Sequence, residues 1–228
     1  AMALFIRVMV TPFASIVADW QQILIFVAIA SMVLGAFAAI GQSNIKRLLA
    51  YSSIGHMGYA LVGLAAGTPE GVQGVVVYMI IYMIMTLGVF ACVIAMRRKG
   101  NHVEEISDLA GLARNHKGLA FVFAMLMFSL AGIPPLAGFF GKYFVFLAAM
   151  KAGLYALAVI GVVASVVGAY YYLRIVKIIY FDEPAEAFDA MDTEVKLVAY
   201  ASGAFTLLFV LFANPLIDLA AQAAQSLY

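Results

Sequence analysis

Residues Ala124–Met150 read AMLMFSLAGIPPLAGFFGKYFVFLAAM, and the fold turns on how this stretch is read. It carries one charge, Lys142, and an interruption at Ile133-Pro134-Pro135. Each prolyl ring removes a backbone donor and clashes with the preceding turn, so a helix breaks there. The break predicts a non-helical Ile133–Leu136 between two half-helices. A lysine deep in hydrocarbon is costly, and such residues are usually paired and functional. A broken transmembrane helix with one buried cation is what a proton or ion path needs. The plainer alternative is a lysine that snorkels outward past about eight apolar residues, roughly 12 Å of helix.

Composition extends this reading to the whole chain. Hydrophobic residues make up 66% and charged residues 11%, whereas a soluble domain carries about 25% charged residues. The chain is therefore integral to a membrane, with lipid around it and no nucleic acid as partner. The single cysteine, Cys92, lies in an apolar run. It permits no disulfide framework and reads as a small packed residue. There is no CxxC, no His/Cys cluster and no Gly-rich phosphate loop, so no cofactor and no metal site is expected. The opening Ala1-Met2-Ala3-Leu4-Phe5-Ile6 is apolar without a charged leader or cleavage site. It reads as the tail of a helix, and the chain as the C-terminal part of a larger protein forming one membrane domain over 1–228.

A span needs about 20 mostly apolar residues. A partial helix covers Ala1–Val10. Full spans are expected over Gln22–Ile40, Ile45–Ala66, Gly71–Met96, Gly118–Met150 (the broken one), Gly153–Phe181 and Val195–Phe212. The fold class is thus all-α: a polytopic membrane helix bundle with six full spans plus one partial. The tail LIDLAAQAAQSLY is amphipathic and is expected at the interface. With loops numbered alternately, one side receives Lys46, Arg47, Arg97, Arg98, Lys99, Arg114, Lys117, Arg174, Lys177 and Lys196, and the other only Arg7 and Lys151. The positive-inside rule makes the first side cytoplasmic and sets the C-terminus opposite.

Acidic residues lie outside the spans. Within Arg97–Lys117, EEISDLAGL predicts a short surface helix with acids in its first turn. The run from Asp182 to Glu194 reads as a solvated loop, because it lacks the spacing of a calcium site. His102 and His116 are expected to be solvated. Inside the spans, Tyr78, Tyr82 and Thr86 form one stripe at i, i+4, i+8. They either glue helices together or line a hydrated path. Ser52, His56 and Tyr59 share a face of the preceding helix, and imidazole relays protons near neutral pH. Lys46 and Arg47 open that helix, where interfacial anchoring is the simpler account. Gly63 with Gly67, and Ala164 with Gly168, make small-xxx-small pairs for close packing.

GQSNIKRLLAYSSIGHMGY (Gly41–Tyr59), SDLAGL (Ser107–Leu112) and GIPPLAGFFGKYFVF (Gly132–Phe146) resemble the antiporter-like membrane subunits of respiratory complex I. The resemblance runs over nearly the whole chain. It implies a fourteen-helix fold of two inverted five-helix units, each with one broken helix, of which this chain holds the second. Lys142 matches the terminal lysine or glutamate of the family's broken twelfth helix, and lysine there resembles the N type rather than the M type. His56 matches a histidine often found on the tenth helix. Tyr82 departs from the L and M types, which have histidine there, and that puts in doubt any relay needing imidazole at this position.

The resemblance implies a proton-translocating membrane subunit of NADH:quinone oxidoreductase in the bacterial inner membrane. Its proton path would use Lys142, His56, Tyr82 and Lys46. Its partners would be other membrane subunits of complex I, including neighbouring antiporter-like ones, and its redox groups and quinone site would lie elsewhere. The rival readings are a subunit of a multi-subunit sodium–proton antiporter and an inert scaffold.

Overall fold

The computed structural model describes residues 1–228. Its elements are α1 (Met2–Val10), α2 (Val17–Ile40), α3 (Ile45–Ala65), α4 (Pro69–Ile94), β1 (Arg97–Arg98), β2 (Asn101–His102), α5 (Leu112–Asn115), α6 (Lys117–Ala131), α7 (Ala137–Lys151), α8 (Tyr155–Phe181), α9 (Thr193–Leu208) and α10 (Ala213–Gln225). Five helical stretches are long and apolar enough to cross a membrane: Ala14–Ile40, Ile45–Ala65, Pro69–Ile94, Tyr155–Phe181 and Thr193–Leu211. The expected Gly118–Met150 span is two helices of 15 residues each. At 1.5 Å per residue each is roughly 22 Å long, short of the ~30 Å hydrocarbon core.

Local chemistry sets the helix ends. The Asn44 side chain accepts the Arg47 N–H at 3.1 Å and starts α3. Thr68 accepts the Gly71 N–H at 3.1 Å ahead of Pro69, which is tolerated in a first turn. Gly67 stands just past α3 with φ +65. It therefore ends a helix and does not form the packing pair proposed with Gly63. The close approach lies elsewhere, between α2 and α3. A side chain at Gly35 would run into the backbone of Gly55 and Tyr51, and one at Gly58 into Met32 and the backbone of Ala28.

Two buried apolar clusters fill the bundle. One takes the ends of α3, α4 and α8 near Ile45, Met96 and Ile179, together with α6. The other takes α1, the start of α2, and the opposite ends of α3, α4 and α8 near Leu64, Val72 and Leu157. Buried Ser52 and His56 fall between the two clusters along α3 (Leu49 to Tyr59), and Lys142 does so along α7 (Ala137 to Val145). These three buried polar side chains therefore sit at mid-depth.

The basic loops gather at one end, as their alternation required. Asn44 bridges Glu105, the Ile106 N–H donates to Ser43 O at 2.8 Å, and the Gly111 N–H to Ile178 O at 3.0 Å. Three expectations change here. EEISDLAGL forms a 3-10 turn over Ile106–Leu109, held by reciprocal capping between Glu105 and Asp108. The acidic run is anchored to the basic hairpin β1–β2. Asp189 accepts the N–H groups of Lys99 and Gly100 at 3.1 and 2.9 Å, and Asp192 pairs with Arg97 at 3.2 Å. Arg98 then joins hairpin, turn and loop, with Asp108 at 2.6 Å and Glu186 O at 2.8 Å. Finally, His116 is half-buried and stacked near Phe188, with its Nε2 enclosed and unpartnered. Alternation of charge along the chain reports which end a loop occupies, and it carries no information on these pairings.

Candidate functional site

The break and Lys142 form one unit. An α-helix leaves its last four carbonyls without intrahelical partners, and at membrane depth no bulk water serves them. Gly132 turns the chain left-handed at φ +91. This lets the Ile133 N–H reach Phe128 O at 3.1 Å and the Gly132 N–H reach Ser129 O at 2.9 Å, the paired bonds of a Schellman ending. Leu130 O and Ala131 O remain, and Lys142 Nζ donates to both, at 3.1 and 2.9 Å. Its third donor goes to Ser165 Oγ on α8 at 2.7 Å. The ammonium has three N–H groups and three acceptors. It also sits where the α6 dipole is negative, which favours a cation.

The other half-helix is tied in by Ser129. Its hydroxyl oxygen accepts the Gly138 N–H at 2.9 Å, in the first turn of α7. Lys142 is 7% exposed, so it faces protein and does not snorkel. Its amine lies 5.0 Å from the centre of the Tyr59 ring, within cation–π range.

His56 forms a second centre across α3, α4 and α8. Its Nδ1 meets Tyr78 OH at 2.5 Å and its Nε2 meets Tyr172 OH at 2.9 Å. Tyr172 is in turn hydrogen-bonded to Ser52. Tyr82 stacks on the imidazole at 4.7 Å, and its hydroxyl donates to Ser53 at 2.8 Å. Thr86 lies one turn further on, lining a small gap with Ser52, Ser53 and Tyr82. Tyr59 stands between the two centres, its ring 5.8 Å from that of His56.

The bundle thus brings His56, Tyr82 and Lys142 into one interior. It does not bring Lys46 there. Lys46 is in the first turn of α3, half-exposed, and paired with Glu104 at 2.5 Å. Hydrogen bonds from Lys46 and Asn44 hold the Glu104 carboxyl below its usual range. Tyr172, Ser165 and Ser129 were not singled out from the sequence. Ser165 and Tyr172 are seven residues apart and so share a helical face, which was the available signal. No group of three or more His, Cys, Asp or Glu side chains converges to hold a metal.

Residues 1–168 match the family described as NADH:quinone oxidoreductase/Mrp antiporter, TM. The chain belongs to this family. Among its relatives is NADH-quinone oxidoreductase subunit N of Parvibaculum lavamentivorans, 67% identical over 98% of this chain and 46% of that protein. A chain of respiratory complex I from Thermus thermophilus with bound aureothin superposes with a TM-score of 0.78 at 35% identity, covering 88% of this chain and 46% of that one. A chain of the Mrp complex from a Dietzia species superposes with a TM-score of 0.88 at 24% identity, over 99% and 50% of the two chains, a likeness of fold alone. The chain spans about half the length of the curated relatives it matches. The resemblance carried by Gly41–Tyr59 and Gly132–Phe146 is thus a true family relation, and the protein is a multi-pass membrane protein of antiporter-like helical fold.

Proposed function

We propose that this chain is part of an N-type, proton-translocating membrane subunit of a bacterial NADH:quinone oxidoreductase. The observation that carries the reading is the Lys142 ammonium, buried at mid-depth on the break between α6 and α7. Beside it runs an imidazole and hydroxyl chain through three helices. The relatives named above supply the class of complex. Other membrane subunits of that complex are then the partners, antiporter-like neighbours included. Electron transfer and quinone chemistry belong to other subunits, and this chain binds no cofactor.

The chemistry follows from donor counts. The ammonium of Lys142 has three donors and the neutral amine two. Of its three acceptors, two are carbonyls, which can only accept. Ser165 carries a hydroxyl, which can reverse and donate to the amine lone pair. A proton leaving or reaching Lys142 therefore exchanges on the Ser165 side. Neutral His56 donates through one ring nitrogen and accepts through the other. A proton arriving at Tyr172's side and leaving at Tyr78's exchanges the tautomer without moving the ring. No direct bond links His56 to Lys142, and single waters past Tyr59 complete the route. Tyr82 orients the imidazole by stacking and needs no imidazole of its own. Lys46 serves at the mouth, with Glu104, at the end that the lysine and arginine bias makes cytoplasmic.

In this reading α6 and α7 together make one crossing, which with the five long helices gives six, α1 is the partial helix, and the bundle is the second inverted unit of the family's fold. The C-terminus then lies on the periplasmic side. Replacing Lys142 with methionine in the intact complex tests the function. Proton pumping coupled to quinone reduction is expected to fall by at least tenfold, the scale of losing one positioned proton carrier. NADH oxidation by an artificial acceptor is expected to stay unchanged. Equal loss of both activities would mean failed assembly, and normal pumping would sink the reading. The family description and the shared fold also admit a sodium–proton antiporter subunit. Iron–sulfur subunits purifying with the chain support the first reading, and exclusively membrane partners the second.

A further inference from the structure

Two tyrosines, Tyr59 on α3 and Tyr171 on α8, are buried beside the Lys142 and His56 centres, at 5% and 4% exposure. A phenol hydroxyl at membrane depth is costly without a partner, so the neighbours of each one are informative. The Tyr59 ring covers the Lys142 ammonium at 5.0 Å and meets the His56 ring edge-on at 5.8 Å. Its hydroxyl lies beside that of Ser165. Ser165 is the one acceptor of Lys142 that can reverse its bond.

Tyr171 stands against Tyr172, with ring centres 4.4 Å apart. Side chains on a helix lean toward its N-terminus, and the Tyr171 hydroxyl does so. It lies 3.5 Å from the place that a β-carbon on Gly168 would take. Gly168 is about one turn beyond Ser165, on the same face of α8. The same hydroxyl neighbours those of Tyr172 and Ser52, and Tyr172 is bonded to His56 Nε2 at 2.9 Å. Tyr59 and Tyr171 are also close enough to act on each other's charge.

We propose, on the proton-translocating reading above, that the Tyr59 and Tyr171 hydroxyls carry the proton between Ser165 and Tyr172 and so join the two centres into one relay. The Lys142 ammonium gives a proton to Ser165 Oγ, whose own proton passes to Tyr59. That of Tyr59 passes to Tyr171, directly or over one bridging water. That of Tyr171 passes to Tyr172, and that of Tyr172 to His56 Nε2. Lys142 ends as the neutral amine. His56, neutral beforehand with its proton on Nδ1, ends as the imidazolium until Nδ1 releases a proton on the Tyr78 side. Every O–H between them has turned to face the other way, and no hydroxyl is left charged. The rival role for the two phenols is to hold α3, α7 and α8 together.

Tyr59→Phe and Tyr171→Phe, alone and together in the intact complex, separate the two roles, because phenylalanine keeps each ring and removes only its oxygen. Each single variant is expected to lower proton pumping coupled to quinone reduction by about tenfold, as on loss of a positioned proton carrier. Two links of one chain act in series, so the double variant should fall no further than the slower single. Losses that multiply in the double variant would overturn the relay. Normal pumping in either single variant would do the same. If Lys142→Met is still impaired, that result removes the relay and leaves the function standing, whereas normal pumping in all of them removes the function itself. Should a phenylalanine variant fail to assemble, fluorotyrosine in place of Tyr171 keeps the hydroxyl and the packing but makes the phenol more acidic. A relaying hydroxyl then shifts the pH profile of pumping, and an unshifted profile overturns the proposal.

Discussion

Lys142 does two jobs with one amine, and they separate by substitution. Methionine keeps most of the volume but leaves Leu130 O and Ala131 O without donors. Each unsatisfied buried acceptor costs about 1–3 kcal/mol, so Lys142→Met should unfold measurably earlier in a thermal melt of the solubilised protein. Ser165→Ala should instead leave both carbonyls capped. It is expected to slow pumping more than it lowers the melting temperature, and the reverse order would remove Ser165 from the path. At His56, Tyr78→Phe strips the partner of Nδ1. A cost of about 1–3 kcal/mol is expected in chemical denaturation, together with slower pumping. The identities of Lys142, His56 and Tyr82 were legible from their depth in apolar runs. Tyr172 and Ser165 were not, because a tyrosine or serine in an apolar helix has no charge to mark it. Lys46 shares α3 with His56, but its side chain leaves the bundle and pairs with Glu104, which places it at the surface end of the helix and outside the buried cluster.

At the scale of the element, the broken helix depends on two glycines. Gly132 adopts φ +91, and a β-carbon there would lie 3.0 Å from Lys142 Cδ and 3.2 Å from its Nζ. Gly132→Ala should cost about 1–2 kcal/mol for the left-handed conformation alone and should also displace the amine. The expected outcome is a lower melting temperature accompanied by impaired pumping. Intact stability with normal pumping would contradict the fit. Gly138 is constrained by contact instead, since a side chain would run into Ser129 O. The break was readable from Pro134-Pro135 because proline's effect is local. The Schellman ending and the lysine cap were not, since each closes a bond whose partner depends on how α6, α7 and α8 meet. Glycine spacing misled in the same way: Gly63 and Gly67 fit a pattern, yet Gly35, Gly55 and Gly58 bring α2 against α3.

Across the whole molecule, two apolar clusters are separated by a polar layer, and a charged network closes one end. That end contains a pH-dependent contact. Glu104 titrates below its ordinary value of about 4.5 because Lys46 and Asn44 bond its carboxylate. A depressed carboxyl contributes stability above its unfolded value and loses it as pH falls through the folded one. The gap in melting temperature between wild type and Glu104→Gln should thus be small and steady near neutrality, as for any exposed pair, and should close in acid below about 4.5. A gap that widened in acid would mean that the pair is not formed.

From the sequence alone came the membrane class, the place of the break, the sorting of loops to two ends and the family relation. All four rest on signals read along the chain: hydropathy, proline geometry, loop charge and contiguous motifs. Only the tertiary structure decided which hydroxyl meets His56, which carbonyls meet Lys142, and that the acidic run is tied to the basic hairpin. Those bonds join residues as far as 116 positions apart. Apolar helices of equal hydropathy can pack in many ways, and the surviving arrangement is the one in which every buried donor at mid-depth finds an acceptor.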